Sequence, residues 1–472
     1  MPRKAKGMVV LFLLASLLAL SACSAGKADE PDPDSEPTKE VVVRQGVPVP
    51  EWAAKSVMYE VNVRQYTKEG TFKAFEEHLP RLKELGVDIL WFMPIHPISE
   101  TNRNGTLGSY YAVDDYKAVN PEFGTDEDFK SLVDKAHEMG FKVLLDLVAN
   151  HTGWDHAWTA NKDWYTQDEA GNIVMPPGTN WADVADLNYD NADMQAAMLD
   201  GMKYWVSEFD IDGYRADYAG GVPKAFWEQA RVELEKLKPV FMLAEDDQQI
   251  SLLSRAFNAN YGWQLYNIMN RVAKGQGNAK QIALYAERLE SSYPAGTYAL
   301  NFTSNHDENS WIGTEYERLG DAVGPMAALS FTLPGMPLIY SGQEAGLNRR
   351  LLFFDKDEIA WDDLSMQPFY KQLVDLKHNN PALWNGSAGG AYRSLEGGDD
   401  RLLAFERTKD GNTVIVLMNL SADSVTSIVQ LGASAGTYQA LSGGDDSPVE
   451  LQAEHAVDLA PWAYEIYVNS DS

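Results

Sequence analysis

From residue 57 onward the chain alternates short apolar runs with longer amphipathic stretches. Residues 57–63 read as a strand and 71–85 as a helix begun by a threonine cap. Residues 87–93 form a second apolar strand, ended by Pro94. Residues 126–139 have helical spacing and stop at Gly140, a favoured helix end, and 141–148 read as a third buried strand. Residues 193–209 then read as helix, 211–216 as strand, 223–237 as a helix with Pro223 early in its first turn, and 240–244 as strand. Later units end in strands at 297–303 and 337–341 and a helix at about 367–378. This alternation predicts an α/β chain with a parallel sheet and helical crossovers. About eight repeats over some 330 residues fit a closed (β/α)8 TIM barrel better than an open sheet.

Two stretches depart from that rhythm. Residues 152–191, rich in Trp, Asp and Pro, lack periodicity and are long enough to be a small subdomain inserted after the third strand. Beyond about Pro381 the helical pattern ceases. Short alternating stretches at 402–407, 413–419 and 463–468, separated by Gly and Asp, predict an antiparallel β domain over 381–472. The barrel itself is expected over 51–380.

The N-terminus follows other rules. Arg3, Lys4 and Lys6 precede an apolar run from Met8 to Leu20, and Ser21, Ala22 and Cys23 follow. That order predicts a secretory signal over residues 1–22, and the run is shorter than the roughly 20 residues of a membrane span. The Leu-Ser-Ala-Cys ending resembles a bacterial lipoprotein signal, which implies lipidation of Cys23, export, and anchoring to a bacterial membrane on its periplasmic or cell-surface side. The alternative is a plain secreted protein with an incidental cysteine. Residues 23–50, crowded with Asp, Glu, Pro and Ser, are expected to be an extended acidic tether.

Composition narrows the partners. The 472 residues carry 39 Lys and Arg against 69 Asp and Glu, a formal charge of −30. Such a surface repels phosphate backbones, so nucleic acid is excluded as a partner and a membrane is met only through the lipid anchor. A saline habitat and simple solubility both account for the acidity. Cys23 is the one cysteine, so the fold has no internal disulfide and depends on its core.

Barrel enzymes place their chemistry where the strands end. Here the third strand leads to Asp146, Asn150 and His151, the fourth to Arg215 and Asp217, the fifth to Glu245, and the seventh to Asn305, His306 and Asp307. An acidic residue after a strand is most often a turn former or helix cap. Three carboxylates converging with His and Arg between them are harder to explain that way. In this order the four segments resemble the signature segments of the alpha-amylase family, glycoside hydrolase family 13. Residues 86–94, 111–116, 120–124, 185–188 and 335–344 resemble further family segments, so the resemblance covers about residues 51–380.

It implies a retaining hydrolase of α-1,4-glucosidic bonds in starch-derived glucans, malto-oligosaccharides or cyclodextrins. Asp217 would be nucleophile, Glu245 general acid/base, and Asp307 the third, stabilising carboxylate. Arg215, two residues before Asp217 and on the same side of the strand, is expected to keep the nucleophile ionised. His151 and His306 would bond sugar hydroxyls and Tyr111 would stack on the ring at the cleavage point. A glucan-transferring enzyme and a glycan-binding lipoprotein without chemistry are the alternatives. The chemistry requires no cofactor. Asn150, Asp186 and the Gly221 carbonyl match calcium ligands of the family, yet too few oxygen donors are countable to assign a metal.

The stretch after Asp217 departs from the family. Many members continue with a Lys-His pair that contacts the leaving sugar, whereas this chain reads Tyr218-Ala219-Gly220-Gly221. The two glycines are expected to leave space there. Trp154, Trp158, Trp164, Tyr165 and Trp181 either line the cleft or form the inserted segment's own core, with Trp154 or Trp181 expected at the cleft.

Overall fold

A computed structural model describes residues 45–441 and 447–469; the apolar leader, Cys23 and the acidic stretch before Gln45 lie outside them. Eight parallel strands close on themselves: β1 (Met58–Val61), β2 (Ile89–Phe92), β3 (Lys142–Leu147), β4 (Gly213–Ala216), β5 (Phe241–Ala244), β6 (Ala259–Tyr261), β7 (Tyr298–Asn301) and β8 (Met336–Tyr340), with β8 pairing back onto β1. The predicted TIM barrel is therefore present. Alternate strand residues serve two cores. Met58, Ile89, Leu144, Phe241, Leu300 and Leu338 fill the barrel interior, while Tyr59, Leu90, Leu145 and Met242 pack outward against the helices. Burial on both faces is why these strands read as unbroken apolar runs.

The differences from expectation are local and have causes. The helix expected over 71–85 is two helices, Phe72–Glu76 and Leu79–Leu85. Thr71 caps the first as predicted, its hydroxyl accepting from the Ala74 amide. Pro80 has no N–H to bond the Glu76 carbonyl and its ring would crowd that carbonyl, so the first helix ends at Glu76 and a second begins at Leu79. Pro223 is the cap residue preceding Lys224–Glu235 rather than part of its first turn. The sixth strand gave no sequence signal, being three residues long with Asn260 at its centre.

Ordered packing begins before Glu51. The Gly46 amide donates to the Ala295 carbonyl at 3.2 Å, and the Pro48 carbonyl accepts from Arg231 and Asn258. Residues 45–50 therefore belong with the barrel, correcting their expected place in the tether.

Between β3 and β4, strand His151–Gly153 pairs antiparallel with Val184–Asp186, and this ribbon closes the inserted segment. Trp158 packs on Trp164 and Tyr116, and Tyr165 is buried. These rings are the segment's core. After helix Gln367–Asn379, an antiparallel sheet of six strands runs from Ala391–Ser394 to Val449–Leu451 in spatial order. Strands Val425–Gln430 and Glu454–Leu459 pair separately and enclose a second core containing Leu417, Val429, Val457 and Tyr467. Buried Arg407 fastens this domain to the barrel by donating to the carbonyls of Leu333 and Leu383. Among the described residues, no helix is long and apolar enough to cross a membrane.

Gly213 lets β4 start against β5. Its φ is +146°, and a Cβ there would stand 1.8 Å from the Phe241 carbonyl oxygen. Gly213→Ala is expected to destabilise the barrel by about 3 kcal/mol or more, because both backbone strain and a backbone clash must be relieved. A thermal melt of the variant within a degree of the parent would contradict this.

Candidate active site

Strand register delivers the charges to the barrel mouth. On β3 and β4 Asp146 stands opposite Arg215, and on β4 and β5 Ala216 stands opposite Ala244. Asp217 and Glu245 follow at matching height, and the ladder continues through them. The Asp217 amide donates to the Leu147 carbonyl and the Glu245 amide to the Ala216 carbonyl, each at 3.0 Å. Neighbouring strands lie about 4.8 Å apart, close to the roughly 5–5.5 Å that separates carboxyls in retaining glycosidases.

A single guanidinium lies among these groups. Arg215 is fully buried. Its Nη1 donates to Asp146 Oδ1 at 2.8 Å and to Asp217 Oδ1 at 3.1 Å, and its Nη2 lies 3.0 Å from Glu245 Oε2. The rings of Trp91, Tyr261 and Tyr111 surround it, with centroids 5.1, 5.5 and 5.8 Å away. Burial nevertheless pushes the Asp146 carboxyl up to about 6, with Arg215 opposing the rise. Asp217 is held well above the usual carboxylate range, first by burial and then by the neighbouring Glu245, and Arg215 only partly offsets them. The expectation that Arg215 keeps Asp217 ionised is thus corrected: the guanidinium lowers the Asp217 carboxyl, but less than burial and Glu245 raise it.

A second chain of contacts comes from β1 and β7. Buried Glu60, at the end of β1, bonds His306 Nδ1. His306 Nε2 meets the Tyr111 hydroxyl at 2.8 Å and lies 3.3 Å from Asp307 Oδ2. Burial would lower His306, but Asp307 and Glu60 outweigh it and hold the imidazolium well above its usual range. Burial would raise Asp307, yet His306 and then Arg215 keep it below the usual value. The Tyr111 hydroxyl donates to Asp146 Oδ2 at 3.0 Å, which joins the two networks.

Tyr111, His151, Asp217 and Asp307 line one cavity of about 500 Å³, together with Trp181 and Trp311. Burial pulls His151 down to about 3, so its imidazole is neutral. Arg215 and His306 lie beneath, both buried. Trp181 reaches the cleft, whereas the Trp154 indole donates to the Ala182 carbonyl within the inserted segment. Glu60 and Trp311 are site residues that sequence reasoning missed. The one usable signal for Glu60 is a lone charge in an otherwise apolar strand. Nothing in the sequence around Trp311 points to the cleft.

The space expected at Gly220 and Gly221 is filled. A Cβ on Gly221 would stand 2.4 Å from the Tyr218 ring and 2.5 Å from Asn150 Oδ1, and one on Gly220 would stand 2.3 Å from Asp246 Oδ2. Tyr218 adopts a left-handed backbone (φ +42°), disfavoured for a bulky residue. In that conformation its amide donates to Glu245 Oε2 at 2.9 Å, and its half-exposed ring meets Trp181 edge to face at 5.5 Å.

Replacing Arg215 by Met removes the counter-charge shared by Asp146, Asp217 and Glu245. At pH 7.5 Arg215→Met is expected to cost about 3–5 kcal/mol, the usual penalty for breaking a buried ion pair. Because the Asp146 carboxyl already rests near 6, protonation at pH 5 removes part of the uncompensated charge. The stability gap from the parent should therefore shrink as pH falls. Unfolding curves at both pH values check the sign, and a gap that widens at pH 5 refutes it.

The geometry agrees with what the chain is similar to. Residues 55–182 and 178–394 match the alpha amylase catalytic domain, and 392–472 match the alpha amylase C-terminal all-beta domain. The chain is 29% identical to the alpha-amylase MalA of Haloarcula japonica over 412 residues, which cover 82% of this chain and 58% of that protein. It therefore spans less than two thirds of that relative's length. A solved alpha-amylase from Lactobacillus plantarum is 30% identical, with a TM-score of 0.77 over 88% of this chain and 99% of that one. The maltogenic alpha-amylase AmyB of Thermotoga neapolitana is 26% identical, with a TM-score of 0.79 over 88% and 98%. With the family's catalytic and C-terminal domains both matched, and three carboxylates gathered at the barrel mouth, this chain belongs to the alpha-amylase family.

Proposed function

We propose that the protein is a retaining glycoside hydrolase that cleaves α-1,4 bonds of malto-oligosaccharides, cyclodextrins and related starch-derived glucans. The observation that carries this reading is the placement of Asp217 and Glu245 on the two terminal nitrogens of Arg215, across neighbouring strands. Asp217 attacks the anomeric carbon while the glycosidic C–O bond breaks, and Glu245 gives its proton to the departing oxygen. Glu245 then takes a proton from water, which attacks the same carbon and releases Asp217. The reaction requires Asp217 ionised to attack and Glu245 protonated to give the leaving oxygen its proton. Asp307, kept anionic by His306, faces the oxocarbenium charge from within the same cavity. Tyr111 stacks on the sugar, and neutral His151 bonds its hydroxyls. His306 acts from beneath, since both its ring nitrogens already have protein partners. The name of the Thermotoga relative, a maltogenic alpha-amylase, supports a starch-derived α-glucan as substrate.

A structural calcium would draw on Asn150, Asp186 and the Gly221 carbonyl, although among the described residues no cluster of three or more His, Cys, Asp or Glu side chains forms a metal site. Oxygen donors suit that ion, and Asn150 Oδ1 approaches the Gly221 backbone too closely for a side chain there. Its chemistry would be structural, bracing the inserted segment against the loop after Asp217. At the N-terminus, the order of charged, apolar and small residues before Cys23 supports export and lipid anchoring to a bacterial membrane.

Wild-type protein should release reducing sugar from maltoheptaose. Asp217→Asn and Glu245→Gln should each lose several orders of magnitude while retaining the parent's melting behaviour. An α-glucosyl fluoride needs little protonation on leaving, so Glu245→Gln should retain far more activity on it than on maltoheptaose. Equal impairment on both substrates would remove Glu245 from the acid role. For the anchor, expression in a bacterial host should put the wild type in the detergent phase and Cys23→Ser in the aqueous phase. Identical partitioning of the two argues against lipidation.

A further inference from the structure

Asp307 is followed by a π-helical turn, Glu308–Ile312. The Gly313 amide donates five residues back to the Glu308 carbonyl at 2.8 Å. Such turns insert an extra residue and re-aim the side chains that follow. This one is held from both sides. The Glu308 carboxylate accepts from the Tyr266 hydroxyl and its amide donates to Asn305 Oδ1 at 2.8 Å. Asn309 bonds the Arg349 carbonyl at 3.2 Å and the Leu351 amide at 2.9 Å, locking the turn to the loop that carries Phe353 and Phe354.

The residue re-aimed by this turn is Trp311. Its indole N–H donates to Asp307 Oδ1 at 3.2 Å. Its ring packs on Phe353 at 5.1 Å and Phe354 at 5.4 Å, and half of the residue's surface remains open to solvent. Phe353 in turn stacks on Tyr111 at 6.3 Å with an interplanar angle of 16°. A row of rings thus runs from Tyr111 outward through Phe353 to Trp311. A large indole left half in water gains little from folding, whereas the flat apolar face of a sugar ring would cover it.

Resting on the hydrolase reading above, we propose that Trp311 has two roles. Its N–H is a positioning group that fixes Asp307, and its exposed face is a binding platform for a glucose unit of the α-glucan beyond the one stacked on Tyr111. The first role explains why Asp307 has a partner on each oxygen, His306 on one and Trp311 on the other. The second gives the cleft an aromatic wall on the Asp307 side, separate from the one that His151, Trp181 and Tyr218 form.

Two variants separate the roles. Trp311→Phe keeps a ring and removes the donor, so kcat on maltoheptaose should fall about tenfold, the loss of one hydrogen bond to a charged group, with KM within about twofold. Trp311→Ala removes both, so kcat should fall as far while KM rises about tenfold. Unchanged kcat in Trp311→Phe, or unchanged KM in Trp311→Ala, overturns the corresponding role. Equal loss of melting temperature and activity in both variants would mean a structural role and overturn the proposal. A fluorescence titration with maltoheptaose in the Asp217→Asn background decides the platform independently of turnover. The tryptophan signal should change on binding, and Trp311→Phe should remove most of that change. An identical change without Trp311 refutes the platform, whereas a wild type that binds without cutting refutes only the hydrolase reading.

Discussion

The mouth of this barrel is organised around one buried cation. Arg215 meets Asp146, Asp217 and Glu245, three carboxyls that strand register places within reach of a single side chain. Three acids crowded into a low-dielectric pocket would protonate or push the strand ends apart. A lysine could not replace the arginine, because a planar fork is needed to meet acids on two sides at once. The aromatic rings of Trp91, Tyr261 and Tyr111 complete the enclosure and shield the guanidinium from water. The arrangement does not neutralise the acids fully. Burial still leaves Asp146 and Asp217 raised.

A fourth acid, Asp307, is controlled differently. Asp307 opens the helical turn after β7, where no strand ladder fixes its height, and its surroundings do so instead. Glu60 from β1 holds His306 as a cation, and His306 together with Trp311 holds Asp307. The carboxyls thereby have unlike environments: Asp146 and Asp217 are raised despite Arg215, and Asp307 is held below the usual range by His306. Separating titrations by environment is the general route by which chemically similar groups take different catalytic roles. The loops also supply the rings that line the cavity. Rings on the Asp307 side and on the inserted-segment side leave a cleft with apolar walls above a charged floor.

How far the sequence reveals this depends on whether a feature is local. Long helices such as Asp126–Glu138 and Gln367–Asn379 were legible because a buried face repeats at helical spacing, and the Thr125 cap and Gly140 mark the ends of the first. Strands buried on both faces were legible as apolar runs. The sixth strand was not, since three residues with a central Asn carry no such pattern and are held in place by neighbours on either side. The acids at the strand ends were legible as motifs, but Glu60 was not. One charge in an apolar strand is indistinguishable from an edge residue until barrel closure brings it against His306, 246 positions away. Trp311 was hidden for a related reason: a π-turn has no sequence signature comparable to a cap or a glycine stop.

The sequence by itself determined the alternation of strand and helix, the inserted segment, the terminal β domain, and which residue types stand at the strand ends. Those follow from periodicity and short-range chemistry, which neighbouring residues decide. Only the tertiary structure decided which charges meet, which carboxyl is raised and which lowered, and whether an open-looking pair of glycines is vacant. At Gly221 the room is taken by Tyr218 and Asn150, and at Asp217 burial and Glu245 prevail over the arginine two residues earlier. Electrostatic energies depend on distance and on exclusion of water, and both are fixed here by contacts between strands and loops far apart in the chain.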